Sequence, residues 1–229
     1  MNGSVILKSI HYCIKIIFMI KNIKLSILSG VMISIGCCAY LSCISLGYKW
    51  LGSILFAAGL YTICQFGFNL YTGKVGYIAL RLKDAEYYGL VALILFFNLL
   101  TTYLLGILFA YTFPSIVEVT KKIYEAKLSA PLPRLFLSGI FCGILMFLSV
   151  DSWKQGSRIG VFIYIPAFIM AGFDHSIANS FYNGVANGFS SAFTIHNALV
   201  VLMVVLGNAA GGMTVPLLTR NFSKDKKDL

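Results

Sequence analysis

Residues 91–113 read "VALILFFNLLTTYLLGILFAYTF", a run without a single charged side chain. About 20 mainly apolar residues span the hydrocarbon core of a bilayer as a helix. In lipid each backbone N–H and C=O must be satisfied within the segment, so such a run has little choice but to be helical. This run belongs to an apolar stretch at roughly 88–113, and five more mainly apolar stretches occur, at roughly 25–47, 51–72, 133–150, 159–182 and 195–219. Charged residues are only 11% of the chain, against about 25% in soluble domains, and the mean hydropathy is +0.85. These features exclude a soluble globule and predict one all-α integral membrane bundle of six transmembrane helices.

The 18 basic residues set the sidedness. With the N-terminus inside, only Lys49, Lys121, Lys122, Lys127 and Arg134 fall outside. The positive-inside rule therefore predicts a multi-pass protein of the cell inner (plasma) membrane with both termini cytoplasmic. The net charge of +10 reads as a topology signal, and no nucleic-acid partner is expected. Residues 1–24 are basic and apolar at mixed spacing. They are expected to lie along the inner interface as an amphipathic helix, the alternative being a loose basic tail. The channel domain is expected over 25–220 and a cytoplasmic tail over 221–229. The six cysteines (Cys13, Cys37, Cys38, Cys43, Cys64, Cys142) lack metal-ligand spacing, and five lie in or beside apolar runs, where free Cys acts as a small hydrophobe. No cofactor or metal is expected. The long loop 114–134 has prolines that bracket a short helix.

The two halves of the chain echo each other. "LSGVMISIGC" at 28–37 resembles "LSGIFCGILM" at 137–146. "FFNLL" around Asn98 lines up with "LGNAA" around Asn208, and "LYTGK" around Thr72 with "GFDHS" around His175, at nearly the same separation. An odd number of helices per copy forces opposite orientations, so the fold is expected to be two inverted three-helix repeats. In such repeats the conducting site lies between broken helices near the bilayer midplane. The second and fifth spans carry the signs of breaks. Gly67 and Gly73 bracket Asn69 and Thr72, while Pro166 and Gly172 precede Asp174, His175, Asn179 and Asn183.

At these residues the chain resembles the formate/nitrite transporter family. "AGFDHSIANSFY" looks like that family's signature around a central histidine. "GLYTICQFGFNLYTG" looks like its second-helix signature, ending in the threonine that faces the histidine, and "LGNAAGG" resembles its sixth-helix motif. The resemblance covers 25–220. It implies an aquaporin-like six-helix protomer in a homopentamer, each protomer with its own pore for small monovalent anions: formate, nitrite, hydrosulfide. It also implies that Thr72 faces His175, and that Phe56, Leu60, Leu70, Tyr71, Met146 and Phe168 form the constrictions. Lys127 resembles a family lysine that enters the outer vestibule, where it would attract anions; read alone, it is a solvated loop lysine. Three departures bear on the substrate. Asp174 stands where the family has glutamate, the fifth helix is about two residues shorter between Pro166 and His175, and Gly143 stands in place of a fourth-helix asparagine, which would suit hydrosulfide.

Read from the residues, an ionisable group inside a span is functional by default, which marks His175. A neutral imidazole can donate one hydrogen bond, accept another and relay a proton. Asn179 lies one turn on, either on the same face or in helix packing. Asp174 is expected to brace the break by accepting backbone N–H groups, or to act as a proton acceptor. Gly73, Asn98 and Asn208 support the breaks. GxxxG spacing at Gly139–Gly143, Gly184–Gly188 and Gly207–Gly211 lets helices approach closely, within or between protomers. Rival readings are a membrane enzyme using His175 and Asp174, a structural or assembly subunit, and a water or glycerol channel. The first has no nucleophile signature or nucleotide loop, the second no need for polar groups at matched breaks, and the third no paired Asn-Pro-Ala motifs.

Overall fold

A computed structural model describes residues 3–189 and 194–219. The regular elements among them are helical: α1 (Gly3–Ser45), α2 (Lys49–Phe66), α3 (Tyr71–Lys74) running on into a 3₁₀ segment (Val75–Leu80), α4 (Ala85–Thr112), α5 (Val117–Leu128), α6 (Leu132–Lys154), α7 (Ile159–Ala171), α8 (Ser176–Asn187) and α9 (Ile195–Thr219). α1, α4, α6 and α9 are each long and apolar enough to cross a membrane. Two bent pairs, α2 with α3 and its 3₁₀ continuation (55°) and α7 with α8 (53°), complete the six spans. The expected six spans with a broken second and fifth are therefore present. The expected tail 221–229, with Lys224, Lys226 and Lys227, lies outside the described residues, as does Arg220.

The boundary expected at residue 24 is not an element boundary, because α1 runs unbroken from Gly3 to Ser45. No glycine or proline falls between Gly3 and Gly30 to stop it. At 1.5 Å per residue the helix is about 64 Å long, twice a hydrocarbon core of about 30 Å. Its first turns therefore project beyond the bundle on the side where Lys15 meets Glu86 at 3.6 Å. The last turns of α9 reach the same side, since a Cβ on Gly212 would stand 3.5 Å from the Cα of Gly76 in the 3₁₀ segment.

Both breaks have one construction. α2 ends on Gly67 (φ 68°) and α7 on Gly172 (φ 77°), the left-handed conformation glycine adopts without penalty. The following N–H groups of Phe68 and Phe173 fold back to the carbonyls of Ile63 (2.9 Å) and Phe168 (3.0 Å). Leu70 (φ −104°, ψ 130°) and His175 (φ −102°, ψ 116°) then enter α3 and α8 in extended conformation. The counterpart of His175 in the first half is thus Leu70 and not Thr72, which the sequence alignment had set opposite it.

One asparagine braces each break from the next span. Asn98 of α4 donates to the carbonyls of Asn69 (3.0 Å) and Ser26 (2.8 Å) and accepts the N–H of Tyr71 (2.8 Å). Asn208 of α9 donates to the carbonyls of Asp174 (2.8 Å) and Gly139 (2.9 Å) and accepts the N–H of Ser176 (2.9 Å). Each amide thus satisfies the backbone groups that a broken helix exposes at membrane depth, where no water replaces them. Both side chains are fully buried.

The glycine pairs on α6 and α9 serve contact within the protomer. A Cβ on Gly139 would stand 3.1 Å from the Cα of Gly207, and one on Gly143 would collide with the backbone of Asn208. Gly184 of α8 lies against the backbone of Tyr103 and Gly106 in α4. Such approaches give dense packing where helix contact gains nothing from excluding water. The helix expected in the loop 114–134 is α5, anchored by the hydrogen bond from the Tyr124 hydroxyl to the Asn197 Oδ1.

Candidate functional site

Thr72 occupies the first turn of α3 and His175 caps α8, so each break delivers one polar side chain to the bundle centre. Thr72 Oγ1 and His175 Nε2 are 2.9 Å apart and buried. The imidazole has a second bond: its Nδ1 accepts the N–H of Ala178 at 3.1 Å. A nitrogen that accepts an amide N–H carries no proton of its own. The proton of the neutral ring is therefore on Nε2, which donates to Thr72 Oγ1 and leaves the Thr72 hydroxyl hydrogen for another acceptor. The Phe168 ring lies over the imidazole at 5.8 Å, and Phe56 meets Phe168 edge-on at 6.2 Å.

A cavity of about 290 Å³ opens on one side of this pair, between α2, α5, α6, α7 and α8. Phe56, Phe168, His175 and Asn179 line its floor, and Lys49, Lys127 and Arg134 lie around it. On the opposite side a cavity of about 100 Å³ is bounded by Leu70, Gly73, Lys74, Trp153 and Lys154. Leu60 and Met146 are buried. Tyr71 points away: its hydroxyl donates to the Val205 carbonyl at 3.1 Å, and it borders neither cavity. Neighbouring residues on a helix point about 100° apart, so with Thr72 facing His175, Tyr71 turns toward α9. Leu60 and Met146 also border neither cavity; Tyr71 differs from them in having its polar end engaged by α9.

Asp174 braces the break in a different way from that expected. Its carboxylate accepts from side chains: Lys127 Nζ and Asn179 Nδ2 (3.1 Å) on Oδ1, and Ser138 Oγ (2.7 Å) on Oδ2. The cap of α8 is His175 itself. Lys127 borders the 290 Å³ cavity, but as the partner of Asp174, with 16% and 8% of the two side chains exposed. Asn179 borders the cavity and also holds Asp174. The positive field of this cavity thus comes from Lys49 and Arg134, which the sequence reading left aside. Their signal was their place: each stands in the first turn of a long apolar helix. Lys74, two residues after Thr72, was likewise passed over.

Gly143 faces α9 and borders neither cavity. It therefore does not substitute for a pore-facing amide, and the argument for hydrosulfide built on it falls away.

The comparisons with known proteins agree with this architecture. The chain is 27% identical over 197 residues to the uncharacterized transporter YrhG of Bacillus subtilis, covering 78% of this chain and 73% of that one. It is 25% identical to the nitrite transporter NirC of Salmonella typhimurium, covering 69% and 65% of the two chains. Two solved structures share the fold. An FNT family ion channel superimposes with a TM-score of 0.79 at 20% identity, over 89% of this chain and 90% of that one. A pentameric formate channel with formate bound superimposes with a TM-score of 0.75 at 22% identity, over 90% and 97%. The family model described as formate/nitrite transporter matches residues 17–221, and the chain belongs to the formate/nitrite transporter family.

Proposed function

We propose that the chain is a channel for small monovalent anions of weak acids (formate, nitrite or hydrosulfide) and that they pass between the two cavities beside His175 and Thr72. The observation that carries this reading is the 2.9 Å Thr72–His175 pair, set where two broken helices meet and two cavities approach from opposite sides. A bare anion pays a heavy desolvation cost in the apolar stretch between them, and its neutral acid pays little. Lys49 and Arg134 concentrate the anion in the outer cavity. A solvent proton neutralises it there, and His175 Nε2–H and the Thr72 hydroxyl offer hydrogen bonds across the passage. A proton on Nδ1 would break the cap on Ala178, so His175 serves as a hydrogen-bond donor rather than as the acid. Phe56, Phe168, Leu60, Leu70 and Met146 form the apolar barrier, while Asp174, Lys127, Asn179, Asn98, Asn208 and Gly73 hold the breaks in shape.

We further infer that the protein sits in the cell inner membrane with both termini cytoplasmic, its basic first two dozen residues on that side, and that it assembles as a homopentamer. The positive-inside distribution supports the first; the pentameric formate channel with the same fold supports the second. Proteoliposomes loaded with a pH-sensitive dye test the transport reading. Formate, nitrite or hydrosulfide added outside should shift internal pH quickly, and His175→Ala or Thr72→Val should abolish the shift. Unchanged flux in both variants would overturn the site.

A further inference from the structure

The cavity on the inner side differs from the outer one in its charge balance. Outside, Lys127 is matched by Asp174. Inside, Lys74 and Lys154 border one cavity of about 100 Å³ together with Leu70, Cys64 and Trp153, and no carboxylate borders it. None of the ion pairs among the described residues includes either lysine. The Lys154 ammonium rests 3.4 Å from the centre of the Tyr77 ring, and Arg158 lies 3.8 Å from that of Trp153. The nearest acid, Asp151, is engaged elsewhere, accepting from the Tyr77 hydroxyl (3.0 Å) and Gln155 Nε2 (2.7 Å). Lys74, Arg81 and Lys154 are close enough for their charges to act on one another, with Asp151 the one carboxylate acting on Lys154.

Cations in excess of their counter-charge repel, and an anion between them relieves the repulsion. The lysines present six N–H donors on flexible stems, suited to a compact oxyanion rather than to a planar fork. A divalent oxyanion gains more here than a monovalent one, because its attraction to each ammonium doubles. It is also the species least able to continue. Desolvation cost grows with charge, and Leu70 forms the wall toward the barrier.

We propose that the inner cavity is a binding site for phosphate-class oxyanions, held by Lys74 and Lys154, which plugs the passage from the cytoplasmic side. The site rests on the proposed reading only for its sidedness and its effect on flux. Binding can be read without flux, because Trp153 borders the cavity and the other tryptophan, Trp50, lies near the opposite end of α2. In detergent-purified Trp50→Phe protein, titration with inorganic phosphate should change Trp153 emission saturably. Lys74→Gln/Lys154→Gln should abolish the response, and Lys74→Arg/Lys154→Arg, which keeps both charges, should retain it. Phosphatidylglycerol added to the micelles separates a lipid headgroup from free phosphate. A lysine-dependent response to the lipid alone keeps the site and assigns it to the headgroup. No saturable response to either, or the same response in the glutamine variant, overturns the proposal. In inside-out vesicles, phosphate should lower formate flux at least threefold, and the glutamine variant should escape this. Absence of formate flux in the unmodified protein would sink the transport reading and leave the fluorescence result to decide the site.

Discussion

Asp174 and Lys127 form an ion pair at the edge of the 290 Å³ cavity, joining the residue before the cap of α8 to the last turn of α5. The pair has two consequences. It ties α5 to the break, and it offsets the charge of a lysine that borders the cavity. Removing one partner leaves the other uncompensated, which is costly in a desolvated place. The two single variants should therefore fail in opposite senses. Lys127→Gln exposes a carboxylate beside His175 and should cut anion flux about tenfold or more. Asp174→Asn frees an ammonium and should lower the half-saturating anion concentration on the outer side. The double variant should lie closer to the unmodified protein than Lys127→Gln does. Flux measured in proteoliposomes at low and high ionic strength would show this, and additive losses in the double variant would refute the coupling.

Asn98 and Asn208 make the same three hydrogen bonds around the two breaks. An alanine at either position strands buried donors and acceptors, each costing about 1–3 kcal/mol. Asn98→Ala and Asn208→Ala should each lower the melting temperature in detergent, by similar amounts. Aspartate at either position should fare no better, because a carboxylate supplies the acceptor but not the two donors. A stable Asn208→Asp protein would contradict this account.

Gly143 tests a different point. The resemblance made it look like a missing pore amide, but a side chain there would run into the Asn208 backbone. Gly143→Asn should therefore separate α6 from α9 and cost about 1–3 kcal/mol through overpacking, with no change in anion preference among the molecules that fold. A substrate panel alongside thermal denaturation distinguishes the outcomes. A stable variant with altered selectivity would place residue 143 in the passage after all.

The breaks were legible because their parts are rare inside apolar spans. Gly67, Gly172, Asn98 and Asn208 stand out against leucine and phenylalanine, and they recur at matching places in the two halves. His175 stood out as an ionisable group inside a span, while the family resemblance set Thr72 opposite it. Three things were hidden. Which residue caps α8 depends on the extended conformation of His175, and adjacency in sequence pointed to Asp174 instead. The direction of Tyr71 depends on a four-residue helix too short to show a period. Arg134, Ser138 and Lys154 are spread along α6, with Lys49 on α2 and Lys74 on α3, and only the packing of those helices gathers them around Asp174 and the two cavities.

The cap made by His175 can be separated from its place beside the passage. Asparagine is among the best N-caps and alanine among the poorest, a difference of about 1 kcal/mol. His175→Asn should hold the Ala178 N–H through its side-chain oxygen and melt close to the unmodified protein, whereas His175→Ala should melt lower. Equal melting of the two variants would mean that the 3.1 Å bond to Ala178 contributes nothing to stability.

The same asparagine variant decides where the proton comes from. If the neutral acid crosses the barrier, flux follows its fraction, which above the acid's pKa rises tenfold for each unit the pH falls. For a carboxylic acid of pKa about 4, formate flux should thus climb steeply between pH 7 and pH 6. The imidazole has its Nδ1 committed to Ala178 and its Nε2–H directed at Thr72, so it is placed to give a hydrogen bond rather than a proton. Asparagine donates hydrogen bonds and does not titrate. His175→Asn should therefore keep the slope of flux against pH while lowering its absolute level. A flat profile in that variant would make His175 the acid that neutralises the anion, and the cap would have to open in each passage.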